Sequence, residues 1–297
     1  PQAGRLGRDT DVLRGTGRRV AAGPELIRLA VFGQPVAQSL SPRIHGLFAE
    51  QFGLQVEYTA IEATHDSFPG LVRDLADRGG RGCNITAPFK NAAYRLAERC
   101  GEDAARAESA NTLLFEPGGW IGESTDGGGL VSDLENLGTV FTGRTICLLG
   151  AGGAAAGVLA ALLRQDLGAL VIANRTVERA QALADTHSDL GEVRACGLDE
   201  LDSVGPLDLL VNATSHGHGG NAPALDPGWF APNGLCYDMN YGPASRPLGE
   251  ACRKQGIRYS DGLGMLVGQA ALSFRMWTGK SPDTAAVLDR LRHSPGK

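Results

Sequence analysis

T-I-C-L-L-G-A-G-G-A-A-A-G, residues 145–157, passes from an unbroken apolar run into a block of glycine and alanine. The run has the composition of a strand buried on both faces, and the block suits a tight turn into a helix. Gly150 can make the turn, Gly152 lets backbone approach a pyrophosphate, and Ala155 is small enough for close helix–strand packing. With Ala151, Gly153 and Ala154 they form a candidate phosphate cradle, since a helix N-terminus offers free N–H groups and a positive dipole end. The pattern alone is common. Its position says more, because a dinucleotide site near residue 150 leaves a domain's length of chain before it for substrate chemistry.

Downstream, a helix is expected over 154–165, a strand over 170–174 and a helix over 177–185. Strands follow over 193–196, 208–214 and 235–239, which makes this half a doubly wound nucleotide-binding domain. At the end of its second strand, NAD-binding versions carry an acidic residue for the ribose 2′-hydroxyl. This chain has Asn174, Arg175 and Thr176 there, with Arg179 one turn on. A carboxylate would repel a 2′-phosphate; guanidinium groups pair with it and Asn and Thr add hydrogen bonds. The expected cofactor is NADP(H).

Upstream, strands over 27–33, 56–61 and 82–86 alternate with helices over 42–52 and 67–77, indicating a second α/β unit. Ser41 reads as the cap of the first helix, with Pro42 in its first turn. The helical stretch 265–277 has no partner in the nucleotide-binding sheet and is expected to pack back on the first unit. The predicted division is a substrate domain over 25–126, completed by 262–297, around an inserted NADP domain over 127–261. Residues 1–24 are arginine-rich and lack a burial pattern; a disordered tail is expected, since Asp9 and Asp11 weaken a transit-peptide reading.

Composition narrows the function classes. The chain has 297 residues, 42% of them hydrophobic, and a formal net charge of −5, so no basic field points to nucleic acid. No apolar stretch reaches the roughly 18–20 residues that span a bilayer. The six cysteines are scattered without a C-x-x-C pair, which suits reduced thiols in the cytoplasm. No metal site is expected; His216 and His218 stand in a glycine-rich loop without further ligands at suitable spacing.

Three polar clusters lie at predicted strand ends, where α/β units place ligand contacts. They are G-Q-P-V-A-Q-S-L-S-P (33–42) with Ser39 and Ser41, N-I-T-A-P-F-K (84–90) with Thr86 and Lys90, and S-A-N-T (109–112) with S-T-D-G-G-G (124–129), carrying Asn111 and Asp126. Singly, each residue reads as a cap, a turn residue or a solvated lysine. Together they bring hydroxyl, amide, ammonium and carboxylate groups to one side of a nicotinamide site, which suits a small polyol acid.

On these stretches, with G-A-G-G-A-A, N-R-T, N-A-T-S-x-G, Y-D-M-x-Y-x-P and D-G-L-G-M-L-V-x-Q-A, the chain from about Leu29 onward resembles the shikimate dehydrogenases. The resemblance implies reversible NADP-dependent reduction of 3-dehydroshikimate to shikimate, towards chorismate and the aromatic amino acids, by a monomer or homodimer. It implies that Ser39 and Ser41 hold the substrate carboxylate with help from Tyr241. Thr86, Lys90, Asn111, Asp126 and Gln269 then bind ring hydroxyls, Lys90 and Asp126 are the catalytic pair, and Thr214, Met239 and Gly262 border the cofactor. A lysine bonded to the reacting oxygen can supply or remove its proton as hydride moves at carbon.

Two departures stand out: Gln38 replaces the family's histidine ahead of the first serine, and the N-A-T-S loop continues H-G-H-G-G. A quinate-accepting, NAD-preferring relative is the nearby alternative, opposed by Arg175 and Arg179. A cofactor-binding sensor without turnover is a second, opposed by the intact Lys90 and Asp126.

Overall fold

A computed structural model describes residues 25–293; the segment 1–24, expected to be a disordered tail, lies outside the described residues. The chain builds two six-stranded sheets. The first half runs β1 (Ile27–Gly33), α1 (Ser41–Phe52), β2 (Val56–Glu62), α2 (Phe68–Asp77), β3 (Gly80–Ile85), α3 (Lys90–Leu96), β4 (Arg99–Cys100), α4 (Glu102–Arg106), β5 (Thr112–Leu114) and β6 (Ile121–Glu123). After α5 (Asp126–Asn136), the second half runs β7 (Thr145–Leu149), α6 (Gly153–Leu163), β8 (Ala169–Ala173), α7 (Val177–Asp185), β9 (Val193–Cys196), β10 (Leu207–Asn212), β11 (Phe230–Asp238), α8 (Arg246–Gln255) and β12 (Arg258–Ser260). Two helices close the chain, α9 (Leu263–Thr278) and α10 (Thr284–His293).

The second sheet is parallel throughout, in the order β12-β11-β10-β7-β8-β9. Chain order reverses between β7 and β10, so the crevice of a doubly wound sheet opens there, outside the strand ends. The apolar run of β7 has a direct cause. Ile146 and Leu148 enter one core with Val158, Leu162 and Val211, while Cys147 and Leu149 enter another with Val171, Leu210 and Cys236. Successive side chains point to opposite faces, and here both faces are covered. Ala155 is fully buried in the first of these cores, as its small size requires.

The first sheet is mixed, in the order β2-β1-β3-β5-β6-β4. β1 pairs in parallel with β2 and β3, whereas β5 is antiparallel to β3 and to β6. This half is therefore not the simple strand–helix alternation expected of it. The antiparallel pair has a local use: it folds 109–112 and 124–126 back beside one another. Two boundaries also move: the strand expected over 208–214 ends at Asn212, and the one expected from 235 begins at Phe230.

α9 joins the halves. Val267, Ala270 and Phe274 pack with Ile44 and Phe48 of α1, and Met265 enters the core of the second sheet. Its neighbour α5 begins D-G-G-G. A Cβ on Gly129 would stand 2.6 Å from the Gln269 backbone nitrogen, so glycine there lets the two helices approach closely. The halves also meet through ion pairs: Arg106 of α4 grips Asp189 at 2.6 and 2.9 Å, and Arg164 meets Asp103 at 2.6 Å. Among the described residues no helix is long and apolar enough to cross a membrane.

Candidate active site

Lys90 opens α3 immediately after Phe89, which is buried and stacked on Phe68 at 4.9 Å. That apolar anchor sets the base of the lysine against the core while its side chain, 26% exposed, reaches the cleft. Its Nζ donates to Asp126 Oδ2 at 2.6 Å, and the Asp126 side chain is only 15% exposed. A charge-assisted bond in a half-dry setting is short and directional. The reading of Lys90 as an isolated solvated lysine is thereby excluded.

Asp126 is the first residue of α5, and the cap position belongs to Thr125. Its other oxygen, Oδ1, accepts from Asn111 Nδ2 at 2.8 Å. The same Nδ2 lies 2.9 Å from Thr125 Oγ1 and 3.3 Å from Gln269 Oε1. Asn111 Oδ1 accepts the Thr125 backbone N–H at 2.8 Å. Four residues from three distant segments thus form one hydrogen-bonded group: Lys90, Asn111, Asp126 and Gln269. Asn111 and Gln269 are buried; burying an amide is tolerable only when its hydrogen bonds are made.

At the adjoining end of β1, Ser41 is the first residue of α1 and Leu40 takes the cap position. The expected Ser41 cap is therefore corrected. Proline fits anywhere in a first turn, where helix N–H groups have no helical partner, so Pro42 does not fix the start to a single residue. Instead, Ser39 Oγ accepts the Ser41 N–H at 3.3 Å, tying the two serines together. Thr86 holds the end of β3 to β1 by donating its N–H to the Phe32 carbonyl at 2.9 Å. Tyr241 follows β11 at the cap of a short 3-10 turn, and burial pushes its phenol up from the ordinary value. Among the described residues it makes no hydrogen bond to the Lys90–Asp126 group.

Behind Ser41 lies His45, fully buried and stacked on Tyr58 at 4.4 Å. Among the described residues neither ring nitrogen has a hydrogen-bond partner, and burial drives its pKa down to about 3, with Asn84 opposing. The imidazole is a neutral packing element.

On the second sheet, Gly150 has φ +109° and its N–H donates to Ala173 O at 2.8 Å, so the turn after β7 is one that glycine adopts readily. A Cβ on Gly150 would sit 3.2 Å from Thr214 Cγ2, which puts Thr214 against the turn. Gly152 caps α6 with no side-chain cap, and added Cβ atoms at Gly152 or Gly153 would meet nothing within 4 Å. The loop, with Ala151 and Ala154, thus has open space beside its glycines at the start of α6, where a diphosphate fits. Asn174 Nδ2 donates to the Thr176 carbonyl at 2.8 Å, which shapes the turn that carries Arg175. Arg175 and Arg179 are exposed, and among the described residues neither meets a carboxylate. These residues fit an NADP with a 2′-phosphate.

Nearer the crevice, Met239 N–H donates to Asn212 O at 3.0 Å, and Gly262 N–H to Asn240 O at 2.9 Å. A Cβ on Gly262 would stand 2.4 Å from the Met239 carbonyl, so these two cofactor candidates are neighbours. His216 and His218 fall in an exposed 3-10 turn, His216–Gly219, with His216 Nδ1 3.0 Å from Thr214 Oγ1. Among the described residues there is no cluster of three metal-ligating side chains.

Sequence reasoning missed Thr125, Asn84 and Tyr58. One signal was available for Asn84: an amide inside the strand G-C-N-I-T must find partners once buried.

The family matches and the curated relatives agree with one another. Residues 31–113 match the shikimate dehydrogenase substrate binding domain, 134–219 match shikimate / quinate 5-dehydrogenase, and 262–292 match the shikimate 5'-dehydrogenase C-terminal domain. A shikimate dehydrogenase (NADP(+)) of Alkalilimnicola ehrlichii is 46% identical over 89% of this chain and 98% of its own. Among solved structures, an Ael1 enzyme from Pseudomonas putida is 41% identical, with TM-score 0.81 over 89% of this chain and 98% of that one. The Thermus thermophilus shikimate 5-dehydrogenase, solved with NADP(H) and shikimate, is 34% identical with TM-score 0.77, covering 90% of this chain and 99% of that one.

Proposed function

The chain belongs to the shikimate dehydrogenase family, and we propose that Lys90 and Asp126 are its proton-transfer pair in the NADP-dependent, reversible reduction of 3-dehydroshikimate to shikimate. The observation that carries this reading is the 2.6 Å bond from Lys90 Nζ to Asp126 Oδ2, with Asn111 holding the other carboxylate oxygen at 2.8 Å.

NADPH held by the 150–154 loop and Arg175 would supply a hydride for the carbonyl carbon. The protein's part is to manage charge on oxygen. As the carbonyl oxygen becomes an alkoxide, the Lys90 ammonium donates a proton to it and is left as an amine; oxidation of shikimate runs the same transfer backwards. Asp126 aims the ammonium and offsets the cost of holding a cation in a partly closed cleft. Asn111 and Gln269 present amides to ring hydroxyls, and a site built to bond hydroxyls discriminates against analogues lacking them. Ser39, Ser41 and Tyr241 receive the carboxylate, and Thr86 completes the ring contacts.

On the cofactor side, the 150–154 loop cradles the diphosphate, and Arg175 and Arg179 pair with the 2′-phosphate, with Asn174 and Thr176 shaping their turn. Thr214, Met239 and Gly262 border the nicotinamide. The two sheets support a division into a substrate domain, 25–126 completed by the C-terminal helices, and an NADP domain over 127–261. The six free cysteines support a reducing, cytoplasmic setting.

The test is an assay at 340 nm with shikimate or quinate, each with NADP or NAD. Shikimate with NADP is expected to give the highest kcat/KM. Preference for quinate with NAD would overturn the substrate and cofactor assignment, and NADPH binding without turnover would overturn catalysis.

A further inference from the structure

Behind Asn111 lies a layer of hydroxyls and amides bonded to one another. Tyr58 on β2 donates its O–H to Asn84 Oδ1 at 2.8 Å. Asn84 Nδ2 in turn faces Thr112 Oγ1 at 3.0 Å, Ser273 Oγ at 2.9 Å and the Asn111 carbonyl at 3.2 Å. Thr112 Oγ1 lies 3.1 Å from Asn111 Oδ1 and 2.7 Å from Ser273 Oγ. Asn84, Thr112 and Ser273 are all buried.

Backbone groups, whose donor or acceptor character cannot change, orient the amides. The Asn111 carbonyl only accepts, so Asn84 turns its NH2 inward and leaves Oδ1 for the tyrosine. The Thr125 N–H only donates, so Asn111 turns Oδ1 to it and its NH2 to Asp126. Thr112 bridges the two amides: it accepts from Asn84 and has one proton to give to Asn111 Oδ1. Burial holds the Tyr58 phenol protonated, well above its ordinary range, with the Ser41 hydroxyl opposing. The tyrosine is therefore a permanent donor at the outer end of a row that finishes on the Asp126 carboxylate.

We propose that Tyr58 and Thr112 are positioning residues of the reaction: through Asn84 they orient the Asn111 amide, and through Asn111 the Asp126 carboxylate that aims Lys90. The inference rests on Lys90 and Asp126 being the proton-transfer pair. It assigns to a strand tyrosine and a buried threonine an effect on turnover, not only on folding. Misplacing a catalytic group by a fraction of an ångström is enough to slow a reaction markedly.

Three variants and a double test it. Tyr58→Phe and Thr112→Val each remove one hydroxyl with little change in shape, and Thr112→Ser restores the threonine's. Each deletion is expected to lower kcat about tenfold and displace the pH profile of kcat, leaving KM for NADPH within about twofold. Thr112→Ser should return to within about twofold of the parent. The double variant should lose little more than either single, because residues in one network are not additive.

Unchanged kcat and pH profile in both deletions, or multiplied losses in the double, would overturn the proposal. A second readout is independent of turnover: NMR of the Asn111 side-chain amide, whose hydrogens should exchange faster in Thr112→Val than in the parent. Equal exchange overturns the relay even if the parent reduces no 3-dehydroshikimate. A parent that does not reduce it, with faster exchange in the variant, overturns the functional reading and leaves the relay standing.

Discussion

The two sides of the cleft handle their polar groups in opposite ways. On the substrate side they are bonded to one another: Lys90 to Asp126, Asp126 to Asn111, and Asn111 to Gln269. On the cofactor side, Arg175 and Arg179 have no acidic partner among the described residues, and the glycine loop faces open space. The difference follows from what each side must do. Proton transfer needs groups fixed before the substrate arrives, because orientation lost in the free enzyme is lost from the transition state. Phosphate binding needs cations whose charge is not already neutralised.

This contrast predicts where a mutation will be felt. The largest effect is expected from Lys90→Ala, which removes the proposed proton donor and strips Asp126 of its ammonium. Turnover should fall by about 10²–10⁴-fold, the usual range for a positioned general acid. NADPH binding, followed by quenching of tryptophan fluorescence, should be nearly unchanged. Near-normal turnover in this variant would remove Lys90 from the mechanism.

Next comes the double change Arg175→Gln with Arg179→Gln. KM for NADPH should rise by about 10–100-fold and the preference for NADP over NAD should shrink, because charge-assisted bonds to phosphate are lost. The apo protein's Tm should scarcely move, since neither guanidinium bonds to another of the described residues. A large fall in Tm would show that the arginines are structural and would break the contrast.

The effect furthest from turnover is on acid stability and concerns His45. Its folded pKa of about 3 lies below the ordinary 6.5, so between those values the unfolded chain holds more protons. Stability from this residue is complete above pH 6.5 and is lost as pH falls towards 3, with a slope of at most about 1.4 kcal/mol per pH unit. Urea midpoints measured from pH 4 to 8 should decline more steeply in the parent than in His45→Phe. Equal slopes would mean that the histidine is not held neutral by burial.

Legibility differed between the halves for physical reasons. The second sheet was readable because its central strands β7 and β8 are nearly continuous apolar runs of five residues. The hairpin of β5 and β6 was not: strands of three residues are too short to display a period of two. The cap assigned to Ser41 failed by one residue because proline constrains a first turn without marking its first position. The partnership of Asn84 with Tyr58 was invisible, since nothing local to either residue names the other.

The cofactor fold and the choice of NADP over NAD are legible in local sequence, as are the polar residues proposed to meet a polyol acid. Those follow from local chemistry: glycine at a tight turn, arginine where NAD proteins carry an acid, polar clusters at strand ends. Only the tertiary structure decided that Lys90, Asn111, Asp126 and Gln269 meet, that Asn111 faces Asp126 with its amide hydrogens, and that α5 lets α9 come close enough to join them. Residues 36 and 158 positions apart in the chain bond to one another here. Such contacts depend on packing of whole elements, and no local propensity encodes them.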